Sequence, residues 1–189
     1  MTEYEEIIFK DGAVVDSKSF RIHELIYDIV SVLISASIAV FVILVCLFRV
    51  ASVVGSSMEP TLLENDRLII TPATINYSHG DIVVIHREND VSIVKRVIAV
   101  PGDTIDIDFN TGTVYLNDKE LHEDYIADKT YLQYSDGPTF PVVIPTGYYF
   151  VMGDNRNGSL DSRSASIGLI NEQYILGKML IDVNNKEAK

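Results

Sequence analysis

The chain has little of what metal sites, disulfide frameworks and nucleic-acid binders are made from. Its single cysteine, Cys46, cannot form an internal disulfide, and four isolated histidines (His23, His79, His86, His122) show no paired ligand spacing, so neither a metal nor a cofactor is expected. Basic residues are scarce. Lysine and arginine number 15 against 27 aspartates and glutamates, for a net charge of -12, and no basic block occurs; phosphate backbones need clustered Lys and Arg, so nucleic acid is excluded as a partner. Long amphipathic helical patterns are missing as well. What is present, 47% hydrophobic and 22% charged residues in a chain of 189, suits one modest folded domain plus an anchor.

The anchor is the stretch 29–48, IVSVLISASIAVFVILVCLF, which carries no charge and matches the roughly 20 residues needed to cross a bilayer. A cleavable signal peptide would have an apolar core of about 7 to 15 residues behind a positive end, whereas this leader is long and acidic. A permanent single span is therefore expected. Lys10, Lys18 and Arg21 precede it and Arg49 follows it, which tilts the amino terminus toward the cytoplasm. The expected organisation is a cytoplasmic tail over 1–28 with a short helix near 20–27, the span over 29–48, an extracytoplasmic domain over 49–183 and a polar tail over 184–189.

Beyond the span the pattern changes to short runs rich in Val, Ile, Tyr and Thr, at 67–71, 81–87, 91–100, 104–108, 113–117, 148–152 and 174–183. Turn residues separate them, among them Ser78-His79-Gly80-Asp81, Pro101-Gly102-Asp103 and Asn110-Thr111-Gly112. The fold expected is an all-β, antiparallel ectodomain with a partly closed, barrel-like sheet behind one membrane helix. Residues 120–145 show little alternation. They read as a long excursion with no legible role.

Three segments carry candidate chemistry. In Gly55-Ser56-Ser57-Met58-Glu59-Pro60-Thr61 a glycine opens and a proline closes a turn or extended piece that holds two serines. Such a composition marks an ordinary surface turn more often than an active site, and a serine hydroxyl is a poor nucleophile without a base. In the run 91–100, alternation puts Val91, Ile93, Lys95, Val97 and Ala99 on one face, with Lys95 the lone polar member. A lysine so flanked either snorkels to water or sits desolvated with a lowered pKa. The difference decides function, since at a pKa of about 10.4 only roughly one lysine in a few thousand is neutral at pH 7. The third segment, Gly153-Asp154-Asn155-Arg156-Asn157-Gly158-Ser159-Leu160-Asp161-Ser162-Arg163, reads as a polar loop whose alternating charges can pair with one another or with Arg96.

Taken together and in this order, behind an apolar span, these segments resemble the type I signal peptidases, membrane-bound serine/lysine peptidases that remove signal peptides from exported preproteins. The resemblance runs from the span to about residue 177 and is to the compact Gram-positive type. It implies that Ser57 is the acylated nucleophile, that Lys95 is its general base, and that Met58 lines the substrate groove. It further implies that Ser159 hydrogen-bonds and orients the lysine, that Asp161 and Arg163 form an adjoining ion pair, and that Asp154 partners Arg96. The partners implied are signal peptides and the lipid bilayer. The backbone N–H of Ser57 is the natural oxyanion donor. Some family members add a serine hydroxyl two residues before the nucleophile, and here that position is Gly55.

Ser57 lies nine residues past residue 48, so an extended chain keeps it within roughly 30 Å of the membrane boundary, close to where a signal peptide would be cut. Two other readings compete. A self-cleaving repressor-type Ser/Lys peptidase calls for a DNA-binding segment that the acidic leader does not supply. An anchored, non-catalytic β binding module would leave Lys95 snorkelling.

Overall fold

The computed structural model describes residues 7–10, 13–72, 76–87 and 92–183. The chain divides into two units, residues 1–46 and 47–189.

The first unit holds a small antiparallel hairpin, β1 (Ile7–Lys10) with β2 (Ala13–Asp16), followed by the helix α1 (Ser17–Leu47). The helix begins at Ser17 instead of Ile29. The short helix expected near 20–27 is its first part, because no glycine or proline separates that stretch from the apolar run. The hairpin was not expected at all, since four-residue strands leave almost no period to read. Within α1 the segment Arg21–Val45 has a mean hydropathy of 2.6 and is long and apolar enough to cross a membrane. Two of its hydroxyls are satisfied internally: Ser35 Oγ donates to the Ser31 carbonyl and Ser37 Oγ to that of Leu33, each at 2.8 Å.

The second unit is built from antiparallel strands. In order they are β3 (Arg49–Ser52), β4 (Arg67–Thr71), β5 (Ile82–His86), β6 (Ser92–Ala99), β7 (Thr104–Asp108), β8 (Thr113–Leu116), β9 (Lys119–Glu120), β10 (Val142–Val143), β11 (Tyr148–Met152), β12 (Ile170–Asn171) and β13 (Ile175–Asp182). Seven form one sheet in the order β12-β11-β6-β5-β13-β4-β3, and four form a second, β10-β7-β8-β9. The larger sheet is open, ending in β12 and β3. It is a folded sheet and not a closed barrel.

All seven sequence-read strands are present, some trimmed by a residue or two at their ends; Val91 lies outside the described residues. Strands β3, β9, β10 and β12 escaped the sequence reading. Three of them are two residues long, and β3 follows directly on the apolar run, where its own pattern is masked.

The core explains why β6 matters. Both of its faces are covered, with Val94 packing beside Val53, Met58, Leu62, Leu68, Ile70, Ile82 and Val84, and Val97 packing beside Val83, Ile85, Tyr149 and Val151. Ile98 and Ala99 join a third cluster with Ile105, Ile107, Val114 and Phe150 that ties the small sheet to the large one. Full burial of such a side chain stabilises by about 1.5–3 kcal/mol, and with no disulfide in reach these clusters hold the domain together. The strand register then sets Lys95 opposite Val83, and Arg96 opposite both Ile82 and Met152.

Candidate active site

Ser57 sits in the turn that joins β3 to β4. Gly55 opens that turn at φ +81°, a conformation that side chains disfavour, and the Glu59 N–H closes it on the Ser56 carbonyl at 3.1 Å. Met58 points into the core with 1% exposure, so the segment is pinned from beneath. Lys95 reaches the same place from the middle of β6, and its Nζ lies 2.7 Å from Ser57 Oγ. The lysine does not snorkel: it is 3% exposed.

That burial sets its chemistry. Removal from water pushes the Lys95 amine down to about 8, an effect opposed by the carboxylates of Asp161 and Asp154 and reinforced by the Arg163 guanidinium. The two carboxylates do not hold the lysine charged because each is already engaged. Asp154 accepts both arms of Arg96 (Nε to Oδ1 2.8 Å, Nη2 to Oδ2 2.6 Å), and Asp161 accepts Nε and Nη2 of Arg163 at 2.8 and 2.9 Å. Paired carboxylates project little net field. At a pKa of about 8, roughly one lysine in ten is neutral at pH 7, several hundred times more than in water.

The structure thus brings Ser57, Lys95, Arg96, Asp154, Asp161 and Arg163 together in the pairings read from the sequence. Met58, expected to line the substrate groove, is instead packed in the core, and Ser159 is the other exception. Its hydroxyl is buried yet has no hydrogen-bond partner among the described residues, so it does not orient Lys95 here. Its carbonyl is engaged instead, accepting from Tyr134 Oη at 2.8 Å. Ser159 packs against Gly153: a Cβ placed there would stand 2.2 Å from Ser159 Oγ and 2.3 Å from the Ser57 carbonyl oxygen. Only a glycine permits this approach of the loop to the serine turn.

Several supporting residues carried no sequence signal, and most come from the excursion 120–145. It runs as a strap over the loop 153–163. Glu123 pairs with Arg156 through both guanidinium nitrogens, Nη1 to Oε2 at 2.8 Å and Nη2 to Oε1, and Thr130 Oγ1 accepts from Nη1 at 3.0 Å. Asn157 Oδ1 accepts the N–H groups of Tyr131 and Leu132, and the Leu132 carbonyl accepts from Arg163. Tyr125 lies under Arg96, while burial and the Glu123 carboxylate push its hydroxyl well up and keep it a neutral donor to Glu123. Thr61 completes the link, donating to Asp154 Oδ2 at 2.5 Å. A cleft of about 820 Å³ opens beside Pro60, Thr61, Arg96 and Tyr125, but Ser57 and Lys95 are not among its lining residues. The Ser57–Lys95 pair lies outside it.

No group of three or more His, Cys, Asp or Glu suited to a metal occurs among the described residues. What the arrangement offers is a hydroxyl, a buried amine beside it, and a rigid polar frame behind both.

The sequence model of the family described as "signal peptidase, peptidase S26" matches residues 26–183. The chain belongs to that family. Among similar peptidases of the family, signal peptidase I U of Bacillus subtilis (strain 168) is 38% identical over 146 residues, spanning 73% of this chain and 76% of that one. Signal peptidase I T of the same strain is 42% identical over 142 residues, spanning 69% and 71%. A crystal structure of a signal peptidase I from Enterococcus faecalis V583 is 27% identical, covers 57% of this chain and 100% of its own, and superposes with a TM-score of 0.47. Family membership displaces the repressor-type reading and the reading as a non-catalytic binding module.

Proposed function

We propose that this protein is a type I signal peptidase that removes signal peptides from exported preproteins, with Ser57 as nucleophile and Lys95 as general base. The observation that carries the assignment of roles is the 2.7 Å separation of a buried, unsnorkelled amine from a serine hydroxyl. In its neutral form the amine takes the Ser57 Oγ proton as the oxygen attacks the scissile carbonyl. The resulting ammonium then gives that proton to the departing amine, leaving an acyl-enzyme that water resolves by the reverse relay. No histidine takes part.

Charge on the tetrahedral oxygen is met by the Ser57 backbone N–H, since Gly55 supplies no side chain. Asp154 with Arg96 and Asp161 with Arg163 fix the loop that frames Lys95, and Ser159 contributes its carbonyl and its packing on Gly153. Met58 closes the floor beneath the serine. The substrates expected carry small side chains before the scissile bond, in the A-x-A-like pattern of signal peptides.

The apolar helix supports a single-pass membrane protein. The tail that precedes the span lies in the cytoplasm and the catalytic domain faces outward, a topology favoured by the basic residues before the span. Protease protection of membrane vesicles tests it, and digestion of the amino-terminal tail in right-side-out vesicles would reverse it.

The activity is tested by incubating the detergent-solubilised protein with a preprotein and sequencing the new amino terminus. Ser57→Ala and Lys95→Arg each abolish cleavage with the fold intact. Retained activity in Lys95→Arg would sink the mechanism, because a guanidinium does not serve as a neutral base at working pH.

A further inference from the structure

The reading of Ser57 as nucleophile leaves one demand unexplained. With no side-chain donor at position 55, the backbone N–H of Ser57 must point at the developing oxyanion, and something must hold it there. That N–H belongs to the peptide unit that carries the Ser56 carbonyl. The unit is planar and trans, so the direction of the carbonyl fixes the direction of the N–H.

The Ser56 carbonyl oxygen is held from two sides. It accepts the Glu59 N–H at 3.1 Å and the Asn155 side-chain Nδ2 at 3.2 Å. The next carbonyl, that of Ser57, accepts the Asn155 backbone N–H at 3.1 Å. One residue therefore grips two consecutive peptide units, those on either side of the nucleophile's Cα. Among the described residues nothing accepts a hydrogen bond from the Ser57 N–H itself, which leaves it free for substrate.

Asn155 is itself braced. Gly158 lies against its amide so closely that a Cβ there would stand 2.7 Å from Nδ2 and 2.9 Å from both Cγ and Oδ1, and the Gly158 N–H closes a turn on the Asn155 carbonyl at 3.0 Å. A donated hydrogen bond also draws electron density onto the Ser56 oxygen. The N–H of the same amide is made more acidic, and so a better donor, by that polarisation.

We infer that Asn155 is a positioning residue for the oxyanion donor: its side chain orients the 56–57 peptide unit, and its backbone anchors the following one. This assignment rests on Ser57 being the nucleophile. The oxyanion develops only in the transition state, so the contribution appears in kcat and not in ground-state binding.

The test uses the full-length, detergent-solubilised protein and a synthetic peptide with Ala-x-Ala before its scissile bond, alongside a peptide boronic acid of the same sequence as a tetrahedral mimic. Removing a direct oxyanion donor costs about 10²–10³ in rate, so loosening one costs less. Asn155→Ala is expected to lower kcat by about tenfold to a hundredfold with KM within about twofold, and to weaken the boronate by a similar factor. The acid limb of its pH profile stays where wild type has it, because Lys95 is untouched. Gly158→Ala, which displaces the Asn155 amide without removing it, gives the same pattern and decides the matter should Asn155→Ala not fold.

Turnover by both variants within about twofold of wild type would overturn the assignment. So would a loss carried by KM, by a displaced acid limb, or without weaker boronate binding. Ser57→Ala separates the two levels: if it still cleaves, the nucleophile assignment fails, and if it is inert while Asn155→Ala is fully active, only the role of Asn155 fails.

Discussion

The guanidinium carbon of Arg96 stands 4.1 Å from the centroid of the Tyr125 ring, while two of its nitrogens grip Asp154 on another side. The strand that carries Lys95 is thereby tied to the excursion 120–145. A cation over a half-buried aromatic face contributes about 1–2 kcal/mol, and the ring, not the hydroxyl, supplies it. Tyr125→Leu is expected to lower stability by about 1–2 kcal/mol in urea denaturation and to speed proteolysis after the exposed Lys129. Tyr125→Phe keeps the ring and loses only the bond to Glu123, at a cost of about 1 kcal/mol.

Activity should follow the neutral form of Lys95. With its pKa lowered to about 8, kcat/KM falls about tenfold per pH unit below that value and levels above it. The same burial carries a stability cost. A displacement from 10.5 to about 8 corresponds to roughly 3 kcal/mol of disfavour toward the ammonium, fully present below pH 8. Between about pH 8 and 10.5 the unfolded chain holds the proton and the folded chain does not, so stability rises with pH across that window. Lys95→Met is expected to be inactive, about 1–3 kcal/mol more stable at pH 7, and without that rise. Parallel denaturation curves at pH 7 and 10 check this.

Arg163 neutralises Asp161 beside the lysine. Replacing it with glutamine leaves that carboxylate's field uncompensated and favours the ammonium, so the acid limb of the rate profile should move upward from about pH 8. An unmoved limb in a folded Arg163→Gln protein would contradict the electrostatic account. Arg163→Lys, which keeps the charge, should lie between the two.

At Gly153 the constraint is steric. Gly153→Ala would drive a methyl into both the Ser57 carbonyl and the Ser159 side chain, so the serine turn must shift. Overpacking of this kind costs about 1–3 kcal/mol, and a displacement of about 1 Å at a reacting group costs on the order of a hundredfold in rate. The expected outcome is a folded protein with little or no peptidase activity, checked by circular dichroism beside a cleavage assay.

The sequence was legible wherever a short-range pattern carried the information. Alternation exposed β6 and the unusual place of Lys95, and an unbroken apolar run exposed the helix. The loop 153–163 announced its ion pairs through its charges, though not which charge would meet which without a family to resemble. Glu123, Tyr125 and Thr130 were illegible because their partners lie 26 or more positions away and irregular chain has no period to read. Asn155 was visible only as one polar residue in a polar loop, and its importance depends on which two carbonyls the fold carries to it. Ser159 was misread as the lysine's partner, since a sequence motif names a residue but does not aim its hydroxyl.

Three strands at sheet borders, Lys119–Glu120, Val142–Val143 and Ile170–Asn171, are only two residues long. An intruding chain needs a run of unpaired backbone groups to zip against, and stubs of this length give it almost none. Copies of the protein crowded together in one membrane are thereby discouraged from polymerising edge to edge. Of the four borders of the second unit's two sheets, β3 alone among the described residues, at four residues, presents a longer seam.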